Sequence, residues 1–161
     1  MKIMHVHHTF HPVLGGVERA IQKICEELVK LGHEVHVITS TYSMHNMPRH
    51  EELNDIHIHR VKAWTLHFPD LTIPREMPRE LVKEVDVVHG WSQNSYFTYR
   101  ICREAKRVCK PVIMYFLGVD YLKNHYNPII RVFGYAYQKW TTKKVIRITN
   151  LALVTNPYEQ K

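Results

Sequence analysis

Apolar and polar positions along the chain alternate first at a strand's period and then at a helix's. "KIMHVHH" is a short β-like run, and a loop follows to Gly15. Val17, Ala20, Ile21, Ile24, Cys25, Leu28 and Leu31 then recur at helical spacing. Gly32 supplies a helix stop, and "HEVHVITS" restores β character through Val35, Val37 and Ile38, so a first βαβ unit closes by Ser40. "DIHIHRVKA" (Asp55–Ala63) alternates as a third strand, and the Pro-rich "WTLHFPDLTIPREMP" reads as a loop before a short helix, Arg79–Glu84. The rhythm then repeats: "VDVVHG" is a strand, "NSYFTYRICREAKRVC" aligns Phe97, Ile101, Cys102 and Ala105 on a helix, and "KPVIMYFLG" is the next strand. From Pro128 a basic, aromatic helix (Ile129–Ile146) sets Ile129, Phe133, Ala136 and Trp140 on one stripe, with Arg131, Gln138, Lys139, Lys143 and Arg147 elsewhere. "LALVTN" closes the series as a last strand, with Pro157 barring its continuation.

Strands alternating with helices predict an α/β, Rossmann-like parallel sheet with helices on both faces. In such a domain an amphipathic helix ordinarily buries its stripe against the sheet, so the Ile129–Ile146 stripe is expected inside. Trp140 facing outward would point instead to an anionic lipid surface.

At 161 residues with 45% hydrophobic content the chain suits one domain, and no repeat or linker divides it. No apolar run is long enough to cross a bilayer and "MKIMHVHH" has no signal-peptide pattern, so a cytoplasmic protein is expected. Cys25 and Cys102 fall on apolar helical positions, and with Cys109 they form no CxxC pair, so buried thiols are expected rather than a redox or metal motif. The formal charge of +7, with 13 histidines in reserve, favours anionic partners. Nucleic acid has only this charge in its favour, because the aromatics are not grouped with Lys and Arg in a nucleic-acid-reading pattern.

His5, His7, His8 and His11 invite a metal reading. Closed sites need three or four converging ligands, however, and the histidines are scattered, His33, His36, His57 and His59 among them. No metal is expected, and most of the histidines read as surface or strand fillers.

The loop from Thr9 to Gly16 occupies the first βα turn, which borders the ligand crevice of an open α/β sheet. Gly15 and Gly16 can take positive φ angles and leave no Cβ in the way, so a phosphate-bearing or hydroxyl-rich ligand could reach the N–H groups at the helix start. "GGVERA" lacks the GxGxxG spacing and the second strand ends without an acidic residue, which reduces dinucleotide binding to a minor reading, and no GxxxxGK[ST] occurs, which excludes a P-loop. The plain alternative is a tight turn, with Glu18 as a favourable first-turn charge.

"HPVLGGVERAIQKICEELVKLGHEVHVIT", "VDVVHGWSQNS" and "KPVIMYFLGVDYL" together resemble, in order and spacing, the N-terminal half of family-4 glycosyltransferases of the GT-B fold. The resemblance implies two Rossmann-like domains across a cleft, the N-terminal one holding the acceptor and the C-terminal one most of a nucleotide-sugar donor. Residues 1–161 would be the first of these, with the donor-binding domain absent or supplied separately.

Carried over, Gly15 and Gly16 would approach the donor diphosphate or the acceptor, and Glu18 would sit at the cleft edge. His89 matches the first His of the family's "VHxH", whereas Trp91 replaces the second and would stack on a sugar or fill space. Ser92 and Asn94 would hydrogen-bond hydroxyls, and Gly118 and Asp120 retain a turn. Leu117 stands where the family commonly has a His, so either this branch dispenses with that group or the domain binds sugar, sugar nucleotide or lipid headgroup without catalysing. No residue is assigned as catalytic. No cofactor is implied beyond the nucleotide sugar as co-substrate, and the implied partners are that donor, a glycan or lipid-linked acceptor, and a peripheral membrane contact.

Overall fold

The computed structural model describes residues 1–13, 15–41, 47–66, 71–118, 123 and 126–154. In chain order the elements are β1 (Lys2–Val6), α1 (Gly16–Lys30), β2 (Glu34–Ser40), β3 (His50–Leu53), β4 (Ile56–Val61), β5 (Ala63–Thr65) and β6 (Thr72–Pro74). Then come α2 (Arg79–Glu84), β7 (Val87–Trp91), α3 (Tyr96–Arg107), β8 (Val112–Phe116), a π-helical turn (Ile130–Gly134), α4 (Tyr135–Ile146) and β9 (Leu151–Val154).

Seven strands form one sheet in the order β3-β4-β2-β1-β7-β8-β9, parallel throughout except for β3 at one edge. The chain builds outward from β1 in one direction through β2 and β4, then returns to lay β7 on the other side of β1. The strand order therefore reverses between β1 and β7, where His5 pairs with His89 and Val6 with Gly90. In a doubly wound sheet that reversal opens a crevice beyond the strands' C-terminal ends, because the two neighbouring loops leave toward opposite faces.

Two apolar layers cover the sheet. Under α1, Ile21 and Cys25 pack with Val35, Val37, Ile56, Ile58, Phe10 and Trp91. On the other face Phe97, Ile101, Cys102 and Ala105 of α3, with Val82 of α2, pack on Met4, Val6, Val88, Val112 and Met114. Each large side chain so buried contributes about 1.5–3 kcal/mol. Gly90 is required there, since a Cβ would lie 2.8 Å from Cys102 Sγ and from Thr98 Cγ2.

The predicted strands and helices are all present, with several corrections. Ile24 and Leu31 of the α1 repeat are exposed, and the helix stop is seen at Gly32, where φ is +81°. The edge strand β3 was not expected. It joins β4 through Asn54 and Asp55, with φ of 52° and 60°, the two-residue turn that suits a right-twisted hairpin. Its sequence, His50 to Leu53, has no hydrophobic alternation because an edge strand tolerates charge. The Pro-rich stretch contains a small antiparallel ribbon, β5–β6, on which the Arg75 guanidinium lies 4.9 Å from the Trp64 ring centroid.

The C-terminal helix inverts its expectation. Ile129, Phe133 and Trp140 are 67%, 71% and 46% exposed, while Gly134, Gln138, Thr141 and Val145 face inward. The reason is that α4 lies on the flank of α3 rather than on the sheet. Tyr137 donates its hydroxyl to Asn94 O at 3.1 Å, and the ring centroids of Tyr96 and Trp140 are 6.2 Å apart. Small and polar side chains permit that close approach. Cys25 and Cys102 are buried, and burial pushes both thiols up to about 12, whereas Cys109 is exposed.

Candidate functional site

The first rim segment begins where β1 ends. His7 N–H donates to Ile38 O at 3.1 Å, and Ser40 returns both its N–H (3.2 Å) and its hydroxyl (2.6 Å) to His8 O, pinning the loop root to β2. His7 Nδ1 donates to Thr9 O at 2.8 Å, and the Thr9 hydroxyl donates to Glu18 Oε1 at 2.5 Å. Glu18, in the first turn of α1, is thus drawn inward, 8% exposed, and its carboxylate lies over Gly15. A Cβ on Gly15 would collide with Glu18 Oε2, while one on Gly16 would meet nothing within 4 Å. Neither glycine uses a positive φ, so the expected conformational reason for the pair is corrected to a steric one: Gly15 makes room for Glu18, and Gly16 leaves open space. No side chain caps α1, so its N-terminal dipole end is left to solvent or ligand.

The second and third segments are locked to each other. Gln93 is fully buried, and its Nε2 donates to Leu117 O at 3.0 Å while its Oε1 accepts from Leu117 N–H at 2.8 Å. That amide imitates one rung of a β-ladder and continues the β7–β8 pairing past the end of the strands. Ser92, held at φ 66°, donates its N–H to Tyr115 O at 3.2 Å, and Ser95 caps α3 by accepting from Thr98 N–H at 3.2 Å. The first segment joins them through apolar packing, since Phe10, Trp91 and the partly buried Leu117 belong to one cluster.

Beneath this rim His5, His89, Trp91 and Tyr115 pack as a row of mutually tilted rings, with successive centroids 4.9, 4.9 and 4.8 Å apart. Trp91 Nε1–H donates to His5 Nδ1 at 3.1 Å, which puts the His5 proton on Nε2. Burial, with the charge of His89 second, lowers His5 to about 3. Burial alone lowers His8 and His89 to about 4. All three rings are neutral near pH 7; of the histidines expected as surface or strand fillers, His5, His36 and His89 are buried strand residues, and His7 and His8 are buried in the loop after β1.

The sequence-predicted site residues therefore divide. Gly15, Gly16, Ser92, Asn94 and Gly118 stand on the three rim segments at the switch point. Asn94 is 1% exposed, and its buried Oδ1 has no hydrogen-bond partner among the described residues. His89 lies one level lower, in the row of rings. Trp91 is 1% exposed, so of its two expected roles it fills space and is not presented to a sugar. Asp120 lies outside the described residues. Gln93, Thr9 and Phe10 were missed, although the Ser95 cap three residues before Thr98 is a helix-start signal readable in the sequence. Among the described residues no group of three or more His, Cys, Asp or Glu side chains is arranged to hold a metal ion, and no helix is long and apolar enough to cross a membrane.

Residues 14–161 match the family described as Glycosyltransferase Family 4. Over 118 residues, 68% of this chain, the sequence is 30% identical to an uncharacterized glycosyltransferase of Methanocaldococcus jannaschii, and the match spans 29% of that protein. The fold is similar to that of sucrose-phosphate synthase from Thermosynechococcus elongatus, with a TM-score of 0.70 and 15% identity over 99% of this chain and 43% of that one. A second structure of the same synthase superposes with a TM-score of 0.57, covering 99% of this chain and 79% of its own.

Proposed function

This chain belongs to Glycosyltransferase Family 4, and from that membership we propose that it is the acceptor-side domain of a retaining glycosyltransferase. In this reading it works with a C-terminal donor-binding domain and moves a sugar from a nucleotide sugar to an acceptor hydroxyl. One observation carries the reading: the ends of β1, β7 and β8 gather at the sheet's switch point beside an uncapped helix N-terminus. Backbone N–H groups of α1's first turn would receive the departing diphosphate across the open space at Gly16. Ser92, half-buried on the rim, would orient the acceptor hydroxyl, whereas Asn94, as buried as Trp91, would not reach it. Holding two reactants in line lowers a barrier by roughly 7–11 kcal/mol in favourable systems. No side chain of this half need act as a covalent nucleophile. His89 and Trp91 hold the rim from below, Glu18 fixes the loop that presents Gly16, and Gly118 and Asp120 match the family's motif in sequence.

The outward face of α4 favours a lipid-linked acceptor and a peripheral contact on the cytoplasmic side of a membrane. Ile129, Val132 and Phe133 at the π-helical turn before it, and Trp140 on α4 itself, are exposed, and Arg131, Lys139, Lys143 and Arg147 are exposed along the same run.

A second reading, a non-catalytic module for a sugar, sugar nucleotide or lipid headgroup, is favoured by Leu117, which joins the Phe10–Trp91 cluster and offers no side-chain hydrogen bond at the reaction centre. Transfer from a panel of nucleotide sugars, by the chain alone and with a donor domain added, separates the two. Activity only with the added domain supports the transferase, and glycan binding without activity supports the module. Gly16→Val is expected to abolish ligand binding with the fold retained, and unchanged affinity would move the site elsewhere.

A further inference from the structure

The sheet face opposite α1 carries a histidine cluster at its β2–β4–β3 edge that the proposed reaction does not use. His36 pairs with His57 and His50 with His59 in the strand register, which sets all four rings on one face. Three of them form a hydrogen-bonded chain. His50 Nδ1 and His59 Nδ1 are 3.0 Å apart, His59 Nε2 and His36 Nδ1 are 3.0 Å apart, and His36 Nε2 lies 2.9 Å from Glu34 Oε1. A carboxylate only accepts, so the direction follows: His36 donates to Glu34, His59 to His36 and His50 to His59. Each ring then holds one proton and is neutral. One added proton fits, on the outer nitrogen of His50 or by shifting every proton along the chain. A second must set N–H against N–H across a 3.0 Å gap.

The surrounding charges are Lys2, 3.0 Å from Glu34 and 3.6 Å from Glu84, Glu52, 3.8 Å from His57, and the paired Arg49 and Glu76. A cavity of about 360 Å³ lined by Arg49, His50 and His59 gives water a route to the chain. Burial first, then the neighbouring imidazoles, lowers His59 to about 4, and burial lowers His36 as well despite Glu34.

On the opposite face β3 holds something else. Arg60 is buried, and its guanidinium donates to Pro48 O (2.9 Å), to Glu51 Oε2 (2.6 Å) and to His11 O (2.9 Å) in the loop between β1 and α1. Glu51 and Pro48 belong to β3 and its approach. If β3 leaves, the buried guanidinium loses its carboxylate, and a buried unpaired charge is strongly unfavourable.

We infer that β3 is an acid-releasable clamp: a second proton on the His50–His59–His36 chain detaches the strand, and Arg60 then lets go of the His11 carbonyl and loosens the loop that ends in Gly15 and Gly16. The inference concerns regulation of the site described under Proposed function and rests on that reading for its consequence, though not for its geometry.

Hydrogen exchange of the whole chain, corrected for intrinsic rates and followed from about pH 7.5 to about pH 5, tests it. Protection at residues 50–53 and at Val13 is expected to fall together, by about tenfold per pH unit for each proton coupled to opening, and to stay below that of β1 and β7 at each pH. His59→Phe, and His50→Asn at the exposed end of the chain, should each flatten that response. Glu51→Gln should loosen residues 11–13 already at neutral pH. Independent exchange of the two segments, or an unchanged acid response in both histidine variants, overturns the clamp. Coupled release with unaltered nucleotide-sugar binding would leave the clamp standing and count against the substrate reading alone.

Discussion

α3 and α4 both carry apolar residues at helical spacing, and they use them in opposite ways. In α3, Phe97, Ile101, Cys102 and Ala105 are buried on the sheet beside the switch point. In α4 and the turn before it the corresponding stripe faces solvent, and the segment is seated instead by Gly134, Gln138, Thr141 and Val145, with the Thr141 hydroxyl returned to Tyr137 O at 2.8 Å. Lys144 Nζ lies 4.2 Å from the Trp140 ring centroid, so one of the cations on this helix turns to the exposed aromatic. The difference teaches that periodicity defines a stripe and not what covers it. α3 meets an open sheet, whereas α4 meets a neighbour that already covers it.

Acid should give the largest response and should act on the buried side alone. His5 at about 3, and His8, His59 and His89 at about 4, all lie below their ordinary value of 6.5, so each ring binds its proton more readily in the unfolded chain. Stability is therefore full above 6.5 and falls as pH drops from there toward 4, with unfolding near pH 5 taking up about three to four protons. Denaturant melts across pH with a proton-uptake measurement check this. A pH-independent midpoint would remove the buried neutral histidines from the account.

Next in size, Phe97→Ala should cost about 3–5 kcal/mol, because the cavity lies in close-packed core. The matched change Phe133→Ala should stay within about 0.5 kcal/mol. Equal losses in chemical denaturation would mean that α4 is covered in solution.

The caps sharpen the contrast at smaller scale. Ser95→Ala removes the α3 cap and should cost about 1 kcal/mol, whereas α1 has no side-chain cap to lose. Smallest in stability is the double change Phe133→Ser with Trp140→Ser, which should leave the melting midpoint nearly fixed and abolish co-sedimentation with vesicles of anionic lipid. Retained sedimentation would assign vesicle binding to charge alone.

Much of the framework around the candidate site was legible from local signals. A strand, a Gly pair at a helix start and a repeat of that pattern imply the switch point, and the short helix Arg79–Glu84 was read with its observed ends. Other parts were hidden because they depend on distant partners. Gln93 acquires meaning only when Leu117 stands beside it, 24 residues away in sequence. β3 was missed because its polar residues follow edge-strand logic, although the Asn54–Asp55 pair before Ile56 is a hairpin signal. The buried histidines escaped because a ring on a strand is equally plausible on either face until register is known.

The sequence by itself determined the order of the parallel strands and their helices, the place of the first βα loop and the family, since these depend on local periodicity and on motifs in fixed order. Only the tertiary structure decided that Glu18 turns inward over Gly15, that α4 shows its aromatic stripe to solvent and that β3 reaches the loop through Arg60. Those outcomes depend on which surfaces remain uncovered once the sheet has formed, and that competition for burial is settled between segments rather than within them.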